Sequence, residues 1–311
     1  MNDLLKRKVK DMSLEKISFS DLIKQMDSSG GFSAKNLADA VSILEDMIKD
    51  KDCKKFLSFP ACIIATGLRG AIAQAIEKGL FDVIITTCGT LDHDLARAYG
   101  GDYYHGSFEL DDAELHKSGV NRLGNVLVPN ESYGIILEKK MNPILEDLVK
   151  TKKEWSGREI INEFGKKLDD KNSILYQASK KNIPVYVPGI TDGAFGTNLV
   201  WFSQDHEFKI DILKDEKEIA DIVFTNEKTG ALMIGGGISK HHVIWWNQFK
   251  KGLDYAVFIT TATQYDGSLS GARLKEAVSW GKIKEKARYV TVDGDATIIL
   301  PVMLAAIYEK L

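Results

Sequence analysis

Cysteines and long apolar runs are scarce in this sequence of 311 residues. Its three cysteines, Cys53, Cys62 and Cys88, are an odd number without a close pair, which argues against a disulfide framework and against a Cys-x-x-Cys metal site. No apolar run approaches the roughly 20 residues of a membrane span, and the first residues lack the apolar segment of a signal peptide. We therefore expect reduced thiols, no membrane association and a cytoplasmic protein.

An excess of positive charge is also missing. The 41 Lys and Arg residues are balanced by 44 Asp and Glu, for a net charge of -3, so the basic face of a nucleic-acid-binding protein is not indicated. Clustered His and Cys ligands are absent, and no metal site is predicted. The sequence also lacks the Gly-x-Ser-x-Gly elbow of serine hydrolases and the glycine fingerprints of P-loop and common dinucleotide-binding proteins.

The sequence does contain a repeated pattern of apolar strand, Gly- or Thr-rich turn and helix. The six strand-and-turn segments are FLSFPACIIATG (56–67), FDVIITTCGT (81–90), IPVYVPGITDG (183–193), GALMIGGGISK (230–240), YAVFITTATQYDG (255–267) and RYVTVDG (288–294). Near-continuous apolar strands that alternate with helices are typical of a parallel sheet covered on both faces. The sequence therefore predicts an α/β fold with a doubly wound, mostly parallel sheet.

No segment has the composition of a domain linker. Residues 1–29 are polar and of mixed charge, and they indicate a helical arm that leads to an amphipathic helix. That helix would open at Ser33 or at the glycines before it. We predict an N-terminal helical arm over residues 1–30 and a single α/β catalytic domain over residues 31–311.

Small, hydroxyl and acidic residues recur where the predicted strands end. In a doubly wound sheet, ligands lie beyond the carboxyl ends of the strands. Glycine there lets the backbone approach a phosphate, and an aspartate binds ribose hydroxyls. Because glycine after a strand is also ordinary turn chemistry, this pattern leaves a nucleotide site and simple turns both open.

Three further features are candidates for chemistry. His241 and His242 open a helix after a glycine turn, where an imidazole's pKa is lowered, and Trp245 and Trp246 follow on that helix. Lys282 lies just past the end of a predicted helix, on which Glu276 and Trp280 share a face. A buried lysine becomes a nucleophile because its neutral amine is reactive. Most lysines are solvated, however, so these residues alone leave Lys282 as either a surface base or a nucleophile.

Colinear motifs carry a resemblance to a known family. EAVSWGKI (276–283), which follows YDGSLSGA (265–272), resembles deoxyhypusine synthase, in which the lysine of the Ser-Trp-Gly-Lys motif is the covalent nucleophile. The other motifs in family order are GFSAKNL (31–37), NRLGNVLVPNESY (121–133), ITDGAFG (190–196), GGGISKHH (235–242), DYAVFITTA (254–262) and GDATIILP (294–301). The resemblance covers residue 31 to the C-terminus, and two longer segments resemble the archaeal branch of the family.

The resemblance implies an aminobutyl transferase that uses NAD without net redox change. The aminobutyl part of spermidine would form an imine on Lys282 and pass to a lysine of translation initiation factor 5A. The resemblance also implies a homotetramer with active sites at dimer interfaces. Transfer of this kind requires a lysine that forms imines. The ammonium groups of spermidine require carboxylates or aromatic rings to bind them.

The resemblance also assigns residues by position. Lys282 would be the nucleophile and His241, rather than His242, a catalytic residue, while Gly236, Glu276 and Trp280 would bind the polyamine. The residues that would bind NAD are Thr87, Gly89, Asp192, Thr261, Ala262, Asp266, Asp295 and Ala296.

Several positions depart from the eukaryotic family pattern. Asp92 and His93 stand where two glutamates are expected, and Thr197 and Leu269 stand where aspartates are expected. Trp245 replaces an asparagine, and we hypothesise that it offers a π face in place of a hydrogen bond. The lost acids leave two alternatives open: aminobutyl transfer to a free amine such as putrescine, which makes homospermidine, or a non-catalytic regulatory paralogue. The retained Lys282 motif argues against the second.

Overall fold

The computed structural model describes residues 7–311. Its fold is mixed α/β with a mostly parallel central sheet flanked by helices, which confirms the predicted fold class. The chain forms two compact units: the first combines the described part of residues 1–56 with residues 226–311, and the second comprises residues 57–225. The single catalytic domain over residues 31–311 stays a prediction.

The elements follow one another along the chain with short connections. The first ones are α1 (Phe19–Ser29), α2 (Phe32–Lys49), β1 (Cys53–Ser58), α3 (Leu68–Glu77), β2 (Val83–Ile85), α4 (Cys88–Ala98), β3 (Tyr104–His105), α5 (Asp112–Lys117), β4 (Val120–Leu123), β5 (Val126–Pro129) and α6 (Gly134–Thr151). The next are β6 (Glu154–Trp155), α7 (Gly157–Lys166), α8 (Ile174–Lys180), β7 (Val185–Tyr186), α9 (Ala194–Asp205), β8 (Lys209–Ile210) and α10 (Ile212–Thr225). The last are β9 (Lys228–Ile234), α11 (Gly237–Gln248), β10 (Leu253–Thr260), α12 (Leu274–Ser279), β11 (Ile283–Asp293) and α13 (Ala296–Tyr308).

In the first unit, the strands are ordered β11-β10-β9-β1. β10 pairs in parallel with β9 on one side and with β11 on the other. Its residues from Ala256 to Thr260 are buried, as expected of a strand that is paired along both edges and covered on both faces. Helices α2, α11 and α13 pack against these strands.

The N-terminal part of this unit contains the helix α1, and hydrogen bonds join the start of this helix to Glu309 near the C-terminus. α1 begins after Ser18, whose side chain accepts a hydrogen bond from the Asp21 amide, and ends at Gly30 with a positive φ of 71°. The amides of Phe19 and Ser20 donate to the carboxylate of Glu309. α2 begins at Phe32 with Gly31 as its N-cap, so the glycine, and not Ser33, opens the helix.

In the second unit, β2 pairs in parallel with β7, and a separate antiparallel sheet has the order β3-β5-β4. α4 follows β2 directly, and α9 follows Gly193. The small antiparallel sheet lies in a region for which the sequence pattern predicted no strands, because its strands have two to four residues and are too short to show a periodicity.

Candidate functional site

The carboxyl ends of β9, β10 and β11 lie at one edge of the sheet, because the three strands are parallel. A glycine turn and α11 follow β9, and α13 follows β11. A longer segment, residues 261–273, follows β10 and leads to α12; we call it the site loop. His241 lies in α11, Asp266 lies in the site loop, and Asp295 is the N-cap of α13.

A cavity of about 190 Å³ lies in this unit. Residues from α11, the site loop and α12 line it: Lys240, His241, Ile244, Leu269, Ala272, Arg273, Glu276, Ala277, Trp280 and Lys282. Pockets for drug-sized ligands are commonly about 300–1,000 Å³, so this smaller cavity suits a slim, flexible chain. Of the five residues predicted for catalysis and polyamine binding, His241, Glu276, Trp280 and Lys282 line it.

Two indoles lie near the amine of Lys282. α12 ends at Ser279 with Trp280 as its C-cap, which places the lysine just past the helix, as predicted. Its Nζ is 5.4 Å from the ring centroid of Trp280 and 5.9 Å from that of Trp245, within the range of about 6 Å for cation-π attraction. Two indoles therefore lie within cation-π range of the Lys282 amine, and one of them, that of Trp280, lines the cavity.

His241 and His242 have different surroundings. His241 lines the cavity, and its ring stacks on that of Trp245 with centroids 5.6 Å apart. Burial, and then the charge of Lys282, lower the pKa of His241, which favours a neutral imidazole. His242 is buried away from the lining residues, and burial lowers its pKa to about 4.

Glu276 is the one carboxylate among the lining residues. Its side chain is exposed, while Arg273 on the same wall is paired with Asp293. Leu269, which stands at one of the departures from the family pattern, is part of the cavity wall. The lining of this cavity therefore combines one carboxylate with one indole, that of Trp280.

Gly236 does not line the cavity but lies against the site loop. A Cβ on Gly236 would come within 2.2 Å of both Cα and Oγ of Ser270. Such a distance is incompatible with any side chain at this position unless the loop moves. The structure therefore places Gly236 as a contact that lets the site loop approach α11.

The predicted cofactor residues of this unit surround the same strand ends. Thr261 and Asp266 are exposed, and Asp266 accepts hydrogen bonds from the Ser268 amide (2.8 Å) and hydroxyl (2.7 Å). These bonds, from the side chain first, lower the pKa of Asp266. Asp295 is exposed and accepts from the Thr297 amide at the start of α13. Ala262 and Ala296 are half-buried beside them.

The other predicted cofactor residues belong to the second unit. Thr87 is the N-cap of α4, and Gly89 lies in its first turn. A Cβ on Gly89 would come within 2.8 Å of the Cβ of Ala61, so only glycine fits there without displacing the neighbouring segment. Asp192 is exposed and directly precedes Gly193, the N-cap of α9.

Asp92 is a structural anchor in the second unit. It is buried and accepts hydrogen bonds from the Tyr133 hydroxyl (2.8 Å) and from the amides of Ala194 (3.0 Å) and Phe195 (2.6 Å). Burial raises its pKa. The carboxylate therefore holds the first turn of α9, and its oxygens are already satisfied by protein donors.

His93 and Thr197, two more departures from the family pattern, line a larger cavity of about 690 Å³ in the second unit. His93 shares a hydrogen bond of 2.8 Å with the Tyr103 hydroxyl, and burial lowers its pKa to about 4. Thr197 donates to the carbonyl of Gly193. Neutral groups thus occupy both positions where the family pattern has acids.

Two further residues bear on the site and were not among the predicted site residues; of these, Lys240 lines the cavity and Trp245 does not. Lys240 is buried and lines the wall. The sequence signal for it was weak, because a lysine next to two histidines looks like any solvated lysine. Trp245 had been singled out only as a hypothesis, and its distance from Lys282 depends on the packing of α11 beside α12.

Two absences concern the described residues only. Within residues 7–311, no group of three or more His, Cys, Asp or Glu side chains is arranged to hold a metal ion. Over the same range, no helix is both long and apolar enough to cross a membrane.

Comparisons with known proteins identify the family of this chain. The family model of deoxyhypusine synthase matches residues 21–307. The chain is 56% identical over 305 residues to a "probable deoxyhypusine synthase" of Thermoplasma acidophilum, covering 97% of this chain and 98% of that protein. The corresponding protein of Picrophilus torridus is 55% identical over 306 residues, covering 98% of each chain.

A solved structure shows the same fold. The crystal structure of a "putative deoxyhypusine synthase" from Entamoeba histolytica aligns with a TM-score of 0.68 at 19% identity, and the alignment covers 97% of this chain and 96% of that one. At this identity the structure supports the fold alone, whereas the family model and the archaeal relatives define the family. The chain belongs to the deoxyhypusine synthase family.

Proposed function

We propose that this protein is a deoxyhypusine synthase that transfers the aminobutyl group of spermidine to one lysine of translation initiation factor 5A. Membership of the family makes it a transferase. The finer assignment is supported by one observation above the others: Lys282 lines a narrow cavity with one carboxylate, and its primary amine is within cation-π range of two indoles.

In the proposed reaction, Lys282 attacks an imine of spermidine. The amine adds to the imine carbon of the aminobutyl part, the bond from that carbon to the other nitrogen breaks, and 1,3-diaminopropane leaves. The lysine of the acceptor protein then attacks the imine on Lys282 in the same way and frees the enzyme. A neutral His241 is suited to accept or donate the protons of these additions, and its pKa is lowered in this structure.

The terminal ammonium of the bound group would be held by Glu276, Trp280 and Trp245. A carboxylate forms a charge-assisted hydrogen bond, and an indole attracts a cation through its π face. Leu269 lines the cavity at a position where the family pattern has an aspartate. Binding of the ammonium by one carboxylate and two indoles is consistent with the loss of that acid.

The residues present fit NAD as the cofactor. Gly89 leaves no room for a side chain, and glycine at the start of a helix permits close approach of a phosphate. Each unit has exposed carboxylates of a kind suited to ribose hydroxyls, Asp192 in the second unit and Asp266 and Asp295 in the first. NAD would supply the removal and the return of one hydride, so that no net oxidation occurs.

The family assignment also leads us to propose a homotetramer with active sites at dimer interfaces, in the cytoplasm, where the acceptor protein acts. Size-exclusion chromatography with light scattering measures the oligomeric state directly. A monomer that retains full activity would contradict this part of the proposal.

The decisive experiment incubates the purified protein with NAD, spermidine and an archaeal initiation factor 5A. We expect a mass gain of one aminobutyl group on a single lysine of the factor, and a borohydride-trapped adduct on Lys282 when the factor is omitted. Lys282→Arg should lower the rate by at least about 10³-fold, because a guanidinium does not form the imine.

The alternatives give different products. Homospermidine formed from added putrescine, without any mass gain on the factor, would establish a free amine as acceptor. Neither product, together with no adduct on Lys282, would indicate a non-catalytic regulatory paralogue. Full activity of Lys282→Arg would refute the nucleophile assignment.

A further inference from the structure

Lys240 is a second lysine in the cavity wall, and its amine is already bound by the protein. Its side chain is 1% exposed. The Nζ donates to the carbonyl of Leu269 (2.9 Å) and to that of Ala272 (2.7 Å), and it lies 3.6 Å from the ring centroid of Phe258. Lys240 belongs to α11 and directly precedes His241, whereas both carbonyls belong to the site loop.

Other contacts hold the same stretch of the loop. The Thr260 hydroxyl donates to the carbonyl of Ser270 at 2.9 Å, between the two carbonyls that Lys240 binds. Gly236 lies against Ser270 so closely that a Cβ would clash. The amide of Gly271 donates to the Ser268 hydroxyl. Side chains from α11 and from the end of β10 thus hold three carbonyls of residues 269–272.

Keeping a lysine at this position is costly. Burial lowers the pKa of Lys240 to about 8, with the carboxylate of Glu276 acting in the opposite direction and the charges of Arg273 and Lys282 adding to the lowering. A buried charge is rarely the most stable choice, and apolar replacements of buried ionic groups are often neutral or stabilising. Replacement here, however, would leave the carbonyls of Leu269 and Ala272 without this donor, and a buried polar group that loses its partner is itself destabilising.

The position of the amine also separates the two lysines of the cavity. Two of the hydrogens of Lys240 bind carbonyls, and its ammonium lies over a phenyl ring. Among the described residues, no hydrogen bond occupies the Nζ of Lys282. The cavity therefore contains one lysine that is bound to the loop and one whose amine lies within cation-π range of two indoles.

We infer that Lys240 is a positioning residue: it binds the site loop to α11, so that Leu269, Ala272 and Arg273 form the wall that faces His241 and Lys282. Loss of this tie leaves Lys282 chemically competent but lets the wall move. The structural part of this inference stands on the contacts of Lys240 alone. Its effect on turnover rests on the proposed function.

The test compares Lys240→Met with wild type, using Lys286→Met as the matched control. Lys286 is exposed on β11, outside the cavity. Hydrogen–deuterium exchange of residues 263–273, followed by mass spectrometry, needs no substrate and measures the order of the loop. We expect exchange there to be roughly 10–100-fold faster in Lys240→Met, as local opening becomes easier, and unchanged in Lys286→Met.

Kinetics supply the second readout. In Lys240→Met, the KM for spermidine should rise roughly 10-fold, as expected when a binding wall loses its position. The fraction of Lys282 trapped by borohydride at saturating spermidine should stay within about twofold of wild type. Lys240→Arg keeps charged donors and should lie closer to wild type in both measurements.

Two outcomes would overturn the inference. One is wild-type exchange and wild-type KM in Lys240→Met. The other is loss of the Lys282 adduct at saturating spermidine with unchanged exchange, which would assign Lys240 to the chemistry. If Lys240→Met does not fold, Lys240→Ala, which also removes the donor to Leu269 and Ala272, takes its place, and wild-type exchange of residues 263–273 in that variant would equally refute the tie.

The two hypotheses fail separately. If wild type forms no product on any acceptor, the proposed function is wrong, while the exchange data still decide whether Lys240 holds the loop. If wild type is active and the exchange of Lys240→Met is normal, only the inference about Lys240 is wrong.

Discussion

At the scale of single residues, Trp245 stands where the eukaryotic family pattern has an asparagine, and it lies near Lys282. Its indole stacks on His241, and its ring centroid is 5.9 Å from the Nζ of Lys282. An asparagine there would offer a directional hydrogen bond, whereas an indole attracts a cation over a broad face. Under the proposed function, aromatic rings would supply part of the attraction for amines in a site with one carboxylate.

We predict that Trp245→Ala raises the KM for spermidine by roughly 5–30-fold, corresponding to about 1–2 kcal/mol of cation-π attraction. Steady-state kinetics with varied spermidine measure the effect. Trp245→Phe keeps a smaller π face and serves as the matched variant, with a KM between those of the other two enzymes. An unchanged KM in Trp245→Ala would remove the indole from the polyamine site.

Asp92 is a residue whose role the family pattern does not reveal. An acid at a family acid position looks like a ligand for an amine, but here it is buried and accepts three hydrogen bonds from the protein. The surrounding donors belong to α9 and to Tyr133. The carboxylate therefore contributes at the scale of an element, as the anchor of a helix.

We predict that Asp92→Ala lowers the free energy of unfolding by about 2–4 kcal/mol, because it removes an N-terminal helix cap and leaves buried amides unpaired. Urea denaturation followed by circular dichroism measures this loss. Tyr133→Phe removes only one of the three donors and should cost less, about 1 kcal/mol. A stable Asp92→Ala with a raised KM for spermidine would instead identify Asp92 as a substrate ligand.

The helices and strands around the site follow from local sequence for clear reasons. The sequence predicts a helix at α12 with Lys282 just past its end. Glu276 and Trp280 are four residues apart, so they are expected on one face of that helix. β9 and β10, which precede α11 and the site loop, are largely apolar runs that are buried in the sheet. The site loop had no such pattern, since its shape depends on contacts with Lys240 and Thr260 that come from other elements.

At the scale of the whole molecule, buried histidines link stability to pH. Burial lowers the pKa of His93 and of His242 to about 4 each, whereas an unfolded histidine titrates at about 6.5. Between these values the unfolded chain binds more protons than the folded one, so stability rises with pH in this range and falls as the pH drops from 6.5 towards 4.

We predict that the melting temperature falls from pH 6.5 to pH 4 and that His93→Asn falls less steeply than wild type. The difference is at most about 3 kcal/mol of unfolding free energy for one imidazole, from roughly 1.4 kcal/mol per pKa unit. Differential scanning calorimetry at several pH values measures it. His116→Asn, which changes an exposed histidine on α5, is the control and should keep the wild-type slope. Equal slopes for all three proteins would contradict the buried, neutral state of His93.

The sequence by itself determined the α/β class and the family, because alternating apolar strands and helices and colinear motifs are local features of the chain. It also identified Lys282, Glu276, Trp280 and His241 as candidates. Only the tertiary structure decided which side chains meet: it placed Trp245 beside Lys282, bound Lys240 to the site loop and showed Asp92 satisfied inside the protein. The reason is physical, since burial and hydrogen bonding depend on the packing of segments that are distant along the chain, and no local pattern records them.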